Sequence, residues 1–312
     1  MDAVSRALQR HSGRDAFLLR CLMDPPWAIR IADGARLALL LAVAGDLVVV
    51  PDGAEPVALA AGDLVLVKGP RPYRLAGDAA TTPRAVIEPG QVCRSLAPDA
   101  PHLLDARTWG TSAGAPTAFL TVTYELPAQV GGDLLDALDD VTVLRAARDA
   151  VPAAALLAAE FTRHEPGQDA VLDRLADVVA VGALREIFLR TPRLAPGWWR
   201  ASADPVLAPA LAATHDDPAH PWTVEELART CGASRAAFAR RFTTVVGEPP
   251  MAYVSALRLS EAADRLARTT DTLAAIARAV GYGTPFALSA AFTRRYGVPP
   301  RQWREQARAA AG

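Results

Sequence analysis

The sequence predicts an α+β chain of two domains, a β-barrel followed by an all-α part, from three observations. Short runs of branched apolar residues, broken by tight-turn signals, fill residues 1–130. Apolar residues at helical spacing take over in residues 131–204 and continue through 205–312. Within the last of these segments one phrase, a short helix, a glycine turn and a second helix, occurs twice, at 222–242 and 273–292.

Strands are expected at residues 37–43, 46–50, 56–59, 63–67 and 117–124, with turns at Ala44-Gly45, Asp52-Gly53 and Ala61-Gly62. Such close spacing favours a sandwich or small barrel over a parallel sheet, whose crossovers are long. From residue 134 to 190 the pattern turns helical, and 154–163 with 170–189 read as an antiparallel pair.

In the first copy of the repeat, Thr223 and Glu226 have the spacing of a capping box, in which the two side chains satisfy orphan backbone donors reciprocally. Small Ala228 lets two helices approach, and Gly232 can take the left-handed conformation of a tight turn. Ser234 caps the second helix, where Phe238 and Phe242 lie one turn apart on the inward side. Arg235, Ala236, Ala239 and Arg240 then face outward.

The second copy repeats this chemistry. Ala277 and Gly281 keep the Ala-x-x-x-Gly spacing, Thr284 is the cap, and Pro285 stands first in the helix, where a missing N–H is harmless. Leu288 and Phe292 face inward. The outward set is Pro285, Phe286, Ala287, Ser289 and Ala290, almost without hydrogen-bond donors. Between the copies, Pro249-Pro250 opens a helix carrying Val254, Leu257, Ala262 and Leu266, a rigid spacer. Two helix-turn-helix units at fixed separation point to a protein that reads DNA in two grooves, with weaker base reading by the second.

Residues 205–312 resemble the DNA-binding domain of the arabinose-regulator (AraC/XylS) family. The matching phrases are Trp-Thr-Val-Glu-Glu-Leu-Ala at 222–228, and 234–242, 246–253, 276–282 and 292–299. The resemblance implies roughly seven helices, with the second helix of each unit in adjacent major grooves of double-stranded DNA. By position, Ala236, Ala239 and Arg240 match the base-facing sites of the first reader, and Pro285, Phe286, Ala287, Ser289 and Ala290 those of the second. Relatives place polar residues where this chain has Ala239 and Ala290. That leaves Arg240 as the principal base contact, bidentate to guanine. Arg235, Arg241 and Arg294 are assigned to phosphate, which positions without specifying sequence.

The first half resembles the cupin-type, AraC-binding-like sensor domain and dimerising helices of one subgroup of that family. The matching residues are Asp24-Pro-Pro-Trp27 and 62–67, with 134–138, 165–168, 174–177 and 183–187. The resemblance implies a small-molecule effector, a homodimer and RNA polymerase as further partners. Cupin domains often hold a metal on histidines of facing strands. Here Tyr73 and leucines at 39 and 40 take those places, so neither a metal nor another cofactor is expected.

The 312 residues are 51% hydrophobic with a formal net charge of −1, which excludes a wholly basic coat protein. From Pro205 onward, however, arginines outnumber acids, so only that part is built for phosphates. Lys68 is the sole lysine, a compositional trait without a special role. Cys21, Cys93 and Cys231 are too scattered for a disulfide framework or a Cys-x-x-Cys site and read as buried thiols of a cytoplasmic protein. No signal peptide or apolar span is expected. His11, His102, His164, His215 and His220 read as solvated or capping residues, since no pair has metal-ligand spacing. No nucleophile elbow or phosphate-cradling loop supplies catalysis. Trp198 and Trp199 read as packing anchors, and Trp27, Arg30, Tyr73 and Arg74 as a candidate ligand pocket. A sequence-specific regulator therefore outranks two alternatives: a ligand-independent regulator whose barrel only dimerises, and a cupin enzyme with a helical appendage.

Overall fold

The computed structural model describes residues 16–124, 132–163 and 165–310. They fall into two compact units, one of residues 16–124 and 135–194 and the other of 132–134 with the residues from Ala195 onward.

The first unit is built on strands β1 (Ala16–Met23), β2 (Ala28–Ile31), β3 (Leu37–Ala44), β4 (Leu47–Pro51), β5 (Val57–Leu59), β6 (Leu64–Lys68) and β7 (Tyr73–Ala76). Then come β8 (Ala85–Glu88), β9 (Val92–Ser95), β10 (His102–Asp105), β11 (Thr108–Gly110), β12 (Thr117–Tyr124) and β13 (Val141–Leu144). They form a seven-stranded sheet, β10-β11-β1-β12-β3-β6-β13, and a six-stranded sheet, β5-β4-β7-β2-β8-β9. Side-chain alternation decides what each face does. Ala38, Leu40, Ala42, Val65 and Val67 of the first sheet meet Ile29, Leu47, Val49 and Leu75 of the second in one core.

The alternate residues Leu37, Leu39, Leu41, Leu64 and Leu66 are buried as well, which is why β3 reads as an unbroken apolar run. After α1 (Gly132–Asp136), which the division between units cuts at Leu134, helices α2 (Ala147–Ala150), α3 (Pro152–Glu160) and α4 (Gln168–Arg190) complete the unit. Tyr124, on the outward side of β12, donates to Ala176 O of α4 at 3.4 Å, and Arg107 pairs with Asp169 and Asp173 of the same helix. The helical pair read from the sequence corresponds to α3 and α4.

All five expected strands form, but the segment read as wholly helical contributes a strand. β13 pairs antiparallel with β6, from Val141 opposite Val67 to Leu144 opposite Leu64. Val-Thr-Val-Leu is too short to display a period, and what fixes it is distant in sequence. Asp63 accepts from Arg145 Nη1 at 2.6 Å and from the amide of left-handed Ala146 at 3.0 Å. The barrel sheet therefore continues into the region assigned to a linker at 131–204.

The second unit contains α5 (Gly197–Ala203), α6 (Ala208–Asp216), α7 (Val224–Thr230), α8 (Arg235–Val246), α9 (Pro250–Arg268), α10 (Leu273–Ala279), α11 (Pro285–Tyr296) and α12 (Pro300–Ala310). It has two cores. Leu207, Leu211, Leu227, Phe238 and Phe242 centre the first, and Ile276, Val280, Leu288, Phe292 and Trp303 the second. α9 serves both, giving Tyr253 and Val254 to one and Leu259, Ala262, Ala263 and Leu266 to the other. α5 precedes the expected boundary at residue 205 yet belongs to this unit: a Cβ on Gly197 would lie 1.8 Å from Val246 O, so α5 meets the end of α8 backbone to backbone. No helix of the described residues is long and apolar enough to cross a membrane.

Candidate nucleic-acid interface

Each reader is assembled by the same local chemistry. In the first, Thr223 Oγ1 accepts from the Glu226 amide at 3.2 Å while the Glu226 carboxylate accepts from the Thr223 amide at 3.0 Å, completing the capping box. α7 ends in a Schellman turn. Gly232 lies at φ +61°, the Ala233 amide donates to Ala228 O at 3.0 Å and the Gly232 amide to Arg229 O at 3.1 Å. α10 ends identically, with Gly281 at φ +78°, Tyr282 donating to Ala277 O at 2.8 Å and Gly281 to Arg278 O at 3.2 Å.

The helices that follow are equivalent too. α8 and α11 are each 12 residues long, are capped by Ser234 and Thr284, which accept from the amides of Ala237 and Ala287, and stop at left-handed Gly247 and Gly297. Phe238, Phe242, Leu288 and Phe292 are buried, as their spacing requires. Arg235, Ala236, Arg240, Phe286, Ala287 and Ala290 are exposed, while Ala239, Pro285 and Ser289 are half-buried beside them. α9, with 19 residues, is roughly 28 Å long at the standard helical rise.

The charges on the two helices differ. Arg235 and Arg240 stand where α11, fifty positions on, has Pro285 and Ala290. The cations of α11 sit at its far end, Arg294 and Arg295. Phe286, in contrast, is 86% exposed, the most exposed large apolar side chain described.

Arg241 has another engagement. Its guanidinium forks onto Asp204, Nη2 to Oδ2 at 2.8 Å and Nε to Oδ2 at 3.1 Å. Asp204 also accepts from the amides of Val206 and Leu207, so one carboxylate ties the α5–α6 turn to α8. Arg241 therefore braces the reader, although its side chain, expected to meet phosphate, is still 49% exposed. Burial alone would raise the Asp204 pKa, but Arg241 and the two amides outweigh it and hold the carboxyl below the usual aspartate range. A depressed folded-state pKa stabilises above the unfolded value and is lost as pH falls through the folded one. Asp204→Asn should therefore flatten the acid limb of thermal stability below about pH 4. Parallel acid limbs for parent and variant would remove this brace.

Other sequence expectations shift. His215 is buried, not solvated, because its ring ends α6 against Tyr253, with Nε2 2.7 Å from the phenol oxygen. His220 lies 3.6 Å from Glu226, and His102 is exposed on β10; His11 and His164 lie outside the described residues. Cys21 is buried, but Cys93 is exposed on edge strand β9 and Cys231 is half-buried. Trp198 packs on the first core of the reader. Among the described residues no three His, Cys, Asp or Glu side chains form a metal-holding group.

The barrel holds a cavity of about 200 Å³, open on one side and lined by Ile29, Ile31, Tyr73, Leu75, Trp109 and Phe119 among others. Of the four pocket residues expected, Tyr73 lines it. Trp27 is packed away, stacked on Phe119 with centroids 5.6 Å apart. Arg30 and Arg74 lie on the opposite strand face, bound to Asp52 at 2.7 Å and to Thr81 O at 3.2 Å. Chemistry suggested those arginines, and strand phase excludes them. Asp33 and Gln91 line the cavity instead, 58 residues apart and joined at 2.9 Å.

Comparison with known proteins agrees with this architecture. Residues 2–188 match the model of a cupin family and residues 227–306 that of a helix-turn-helix domain. A putative AraC-like transcription regulator of Streptomyces lividans is 35% identical over 98% of both chains. The chain belongs to the AraC-like transcription regulators. A second such regulator, from Streptomyces antibioticus, is 34% identical over 91% of this chain and 89% of its own. Among solved structures, the DNA-binding domain of AdpA in complex with a target DNA is 29% identical, covering 33% of this chain and 94% of that one at TM-score 0.33. This AraC-like protein is thus a DNA-binding transcription regulator and not an enzyme, with a cupin-type domain ahead of its helix-turn-helix domain.

Proposed function

We propose that α8 and α11 enter successive major grooves on one face of a duplex, and that a small molecule in the barrel cavity modulates this binding. The matched caps, turns and end glycines of the two helices, joined by a helix common to both cores, carry the reading. Ala236, Ala239 and Arg240 face bases from α8, with Arg240 forked onto guanine. Pro285, Phe286, Ala287, Ser289 and Ala290 face bases from α11. Arg235 and Arg294 meet phosphate, and the ion pair of Arg241 with Asp204 counts against the same role for Arg241. The DNA-binding domain then starts near Ala195, ahead of residue 205.

The regulator acts as a cytoplasmic homodimer. Val171, Val178 and Leu189 lie exposed along a single stripe of α4, 44%, 54% and 69% accessible, which supports pairing through that helix. The cavity counts against a barrel that only dimerises.

Footprinting of the full chain on genomic fragments tests the reading. Protection of two segments roughly 10 base pairs apart on one face is expected. Equal affinity for every fragment and for random duplex refutes it.

The apolar face of α11 makes a further expectation specific. An exposed phenylalanine with no charge beside it reads thymine methyls. Deoxyuridine in place of the thymine under α11 should cost about 0.8 kcal/mol, roughly fourfold in affinity, for the parent chain. For Phe286→Ala the same exchange should cost nothing. Equal losses in parent and variant would detach Phe286 from the base.

A further inference from the structure

We propose, resting on the reading of the barrel as an effector domain, that its cavity selects by head-group charge: it takes a compact apolar molecule whose polar end donates a hydrogen bond, a hydroxyl or an ammonium, and refuses carboxylates. The walls supply the body of the site through Ile31, Leu103, Trp109 and Phe119. Its polar groups are the side chains of Asp33, Gln91, Thr121 and Thr123 with the Tyr73 phenol, the Trp109 indole N–H and the thiols of Cys21 and Cys93, and no Arg, Lys or His is among the lining residues. The nearby cations are turned away, Arg30 to Asp52 and Arg74 to Thr81 O. Burial pushes the Cys21 thiol and the Tyr73 phenol up, the latter helped by the charge of Asp33, and burial also raises Cys93, so the other acidic groups of the site stay protonated at neutral pH.

Asp33 is already used as an acceptor. Its Oδ1 takes the Ala35 amide at 3.0 Å and its Oδ2 the Gln91 side-chain nitrogen at 2.9 Å. Gln91 makes that bond from φ +60°, a backbone region disfavoured for any residue with a Cβ and tolerated where surroundings impose it. The Gln91 amide therefore occupies the place of a ligand donor. A ligand hydroxyl or ammonium replaces it on Asp33 and frees Gln91 from the constraint. A ligand carboxylate arriving there would shed water and face a like charge with no cation to offset either cost.

The full chain is titrated by calorimetry with two matched series: tryptophol, tryptamine and indole-3-acetate, then decanol, decylamine and decanoate. The expected result at pH 7 is saturable binding of the alcohol or amine of at least one series, about tenfold or more tighter than the matching carboxylate. Asp33→Asn keeps an acceptor for the Ala35 amide and should bring the carboxylate to within about threefold of the alcohol. A carboxylate that binds as tightly as its alcohol, an Asp33→Asn variant with undiminished discrimination, or no saturable binding in either series overturns the proposal. The head-group ranking is decided on the parent chain alone, so a variant that fails to fold leaves the test intact. DNA affinity is measured on the same samples. The expected ranking with unchanged DNA affinity supports the site and removes only the effector reading, whereas a failed ranking leaves the DNA reader untouched.

Discussion

Gly281→Val destabilises the second reader by about 3–5 kcal/mol, more than the same change at Gly232, in urea unfolding of the full chain followed by tryptophan fluorescence. Both glycines occupy the left-handed corner of a Schellman turn, φ +78° and +61°, where a branched side chain is strained by about 1–3 kcal/mol. Their surroundings separate them. A Cβ at Gly281 would lie 2.6 Å from Ala219 O and 2.8 Å from Ala219 Cα, whereas one at Gly232 would meet nothing within 4 Å. The added collision is with backbone, which has no rotamer to move. A Gly281→Val protein as stable as Gly232→Val would mean that the loop at Ala219 yields freely.

Arg240→Ala has the larger consequence for recognition, weakening operator binding by about 1–3 kcal/mol, a factor of roughly 5 to 150, and relaxing preference at one base pair. Arg240 is exposed on α8, and its guanidinium has no ion pair among the described residues. A carboxylate partner would have had to be displaced before any base could be forked. Arg241→Ala is the control: with Asp204 as its partner it should lower stability while leaving base preference intact. Binding curves on an operator and on single-base variants, at one salt concentration, distinguish the two. An Arg240→Ala footprint and affinity equal to the parent's would take that side chain off the reading face.

What could be read in advance was short-range. A threonine and a glutamate three residues apart make a capping box wherever they start a helix, and Gly232, Ser234, Thr284 and Pro285 likewise declare turns and starts within a few positions. The buried and exposed sides of α8 and α11 follow from spacing alone. The missed features depend on partners far along the chain. The ion pair of Arg241 depends on Asp204, 37 residues earlier, and nothing in the helix that carries Arg241 announces it. β13 needed β6 beside it, and β1 was masked by Arg20 and Cys21 within its apolar run. The strand phase that turns Arg30 and Arg74 from the cavity is not written in those residues, and Asp33 and Gln91 sit in turn-like sequence, Asp33-Gly34 and Gly90-Gln91, that gives no sign of a cavity.

The spacer helix contributes buried side chains to both cores, so the phase between the probes is stored in one rigid rod. Each residue added to or removed from it would turn one probe by roughly 100° about the rod relative to the other and slide it by about 1.5 Å. If both probes enter the duplex as proposed, drift in that length would swing one of them off it long before it unfolded anything. Under the proposed two-groove docking, the number of residues from Pro250 to Arg268 is therefore constrained by the pitch of DNA, while the side chains on its solvent face are free to vary.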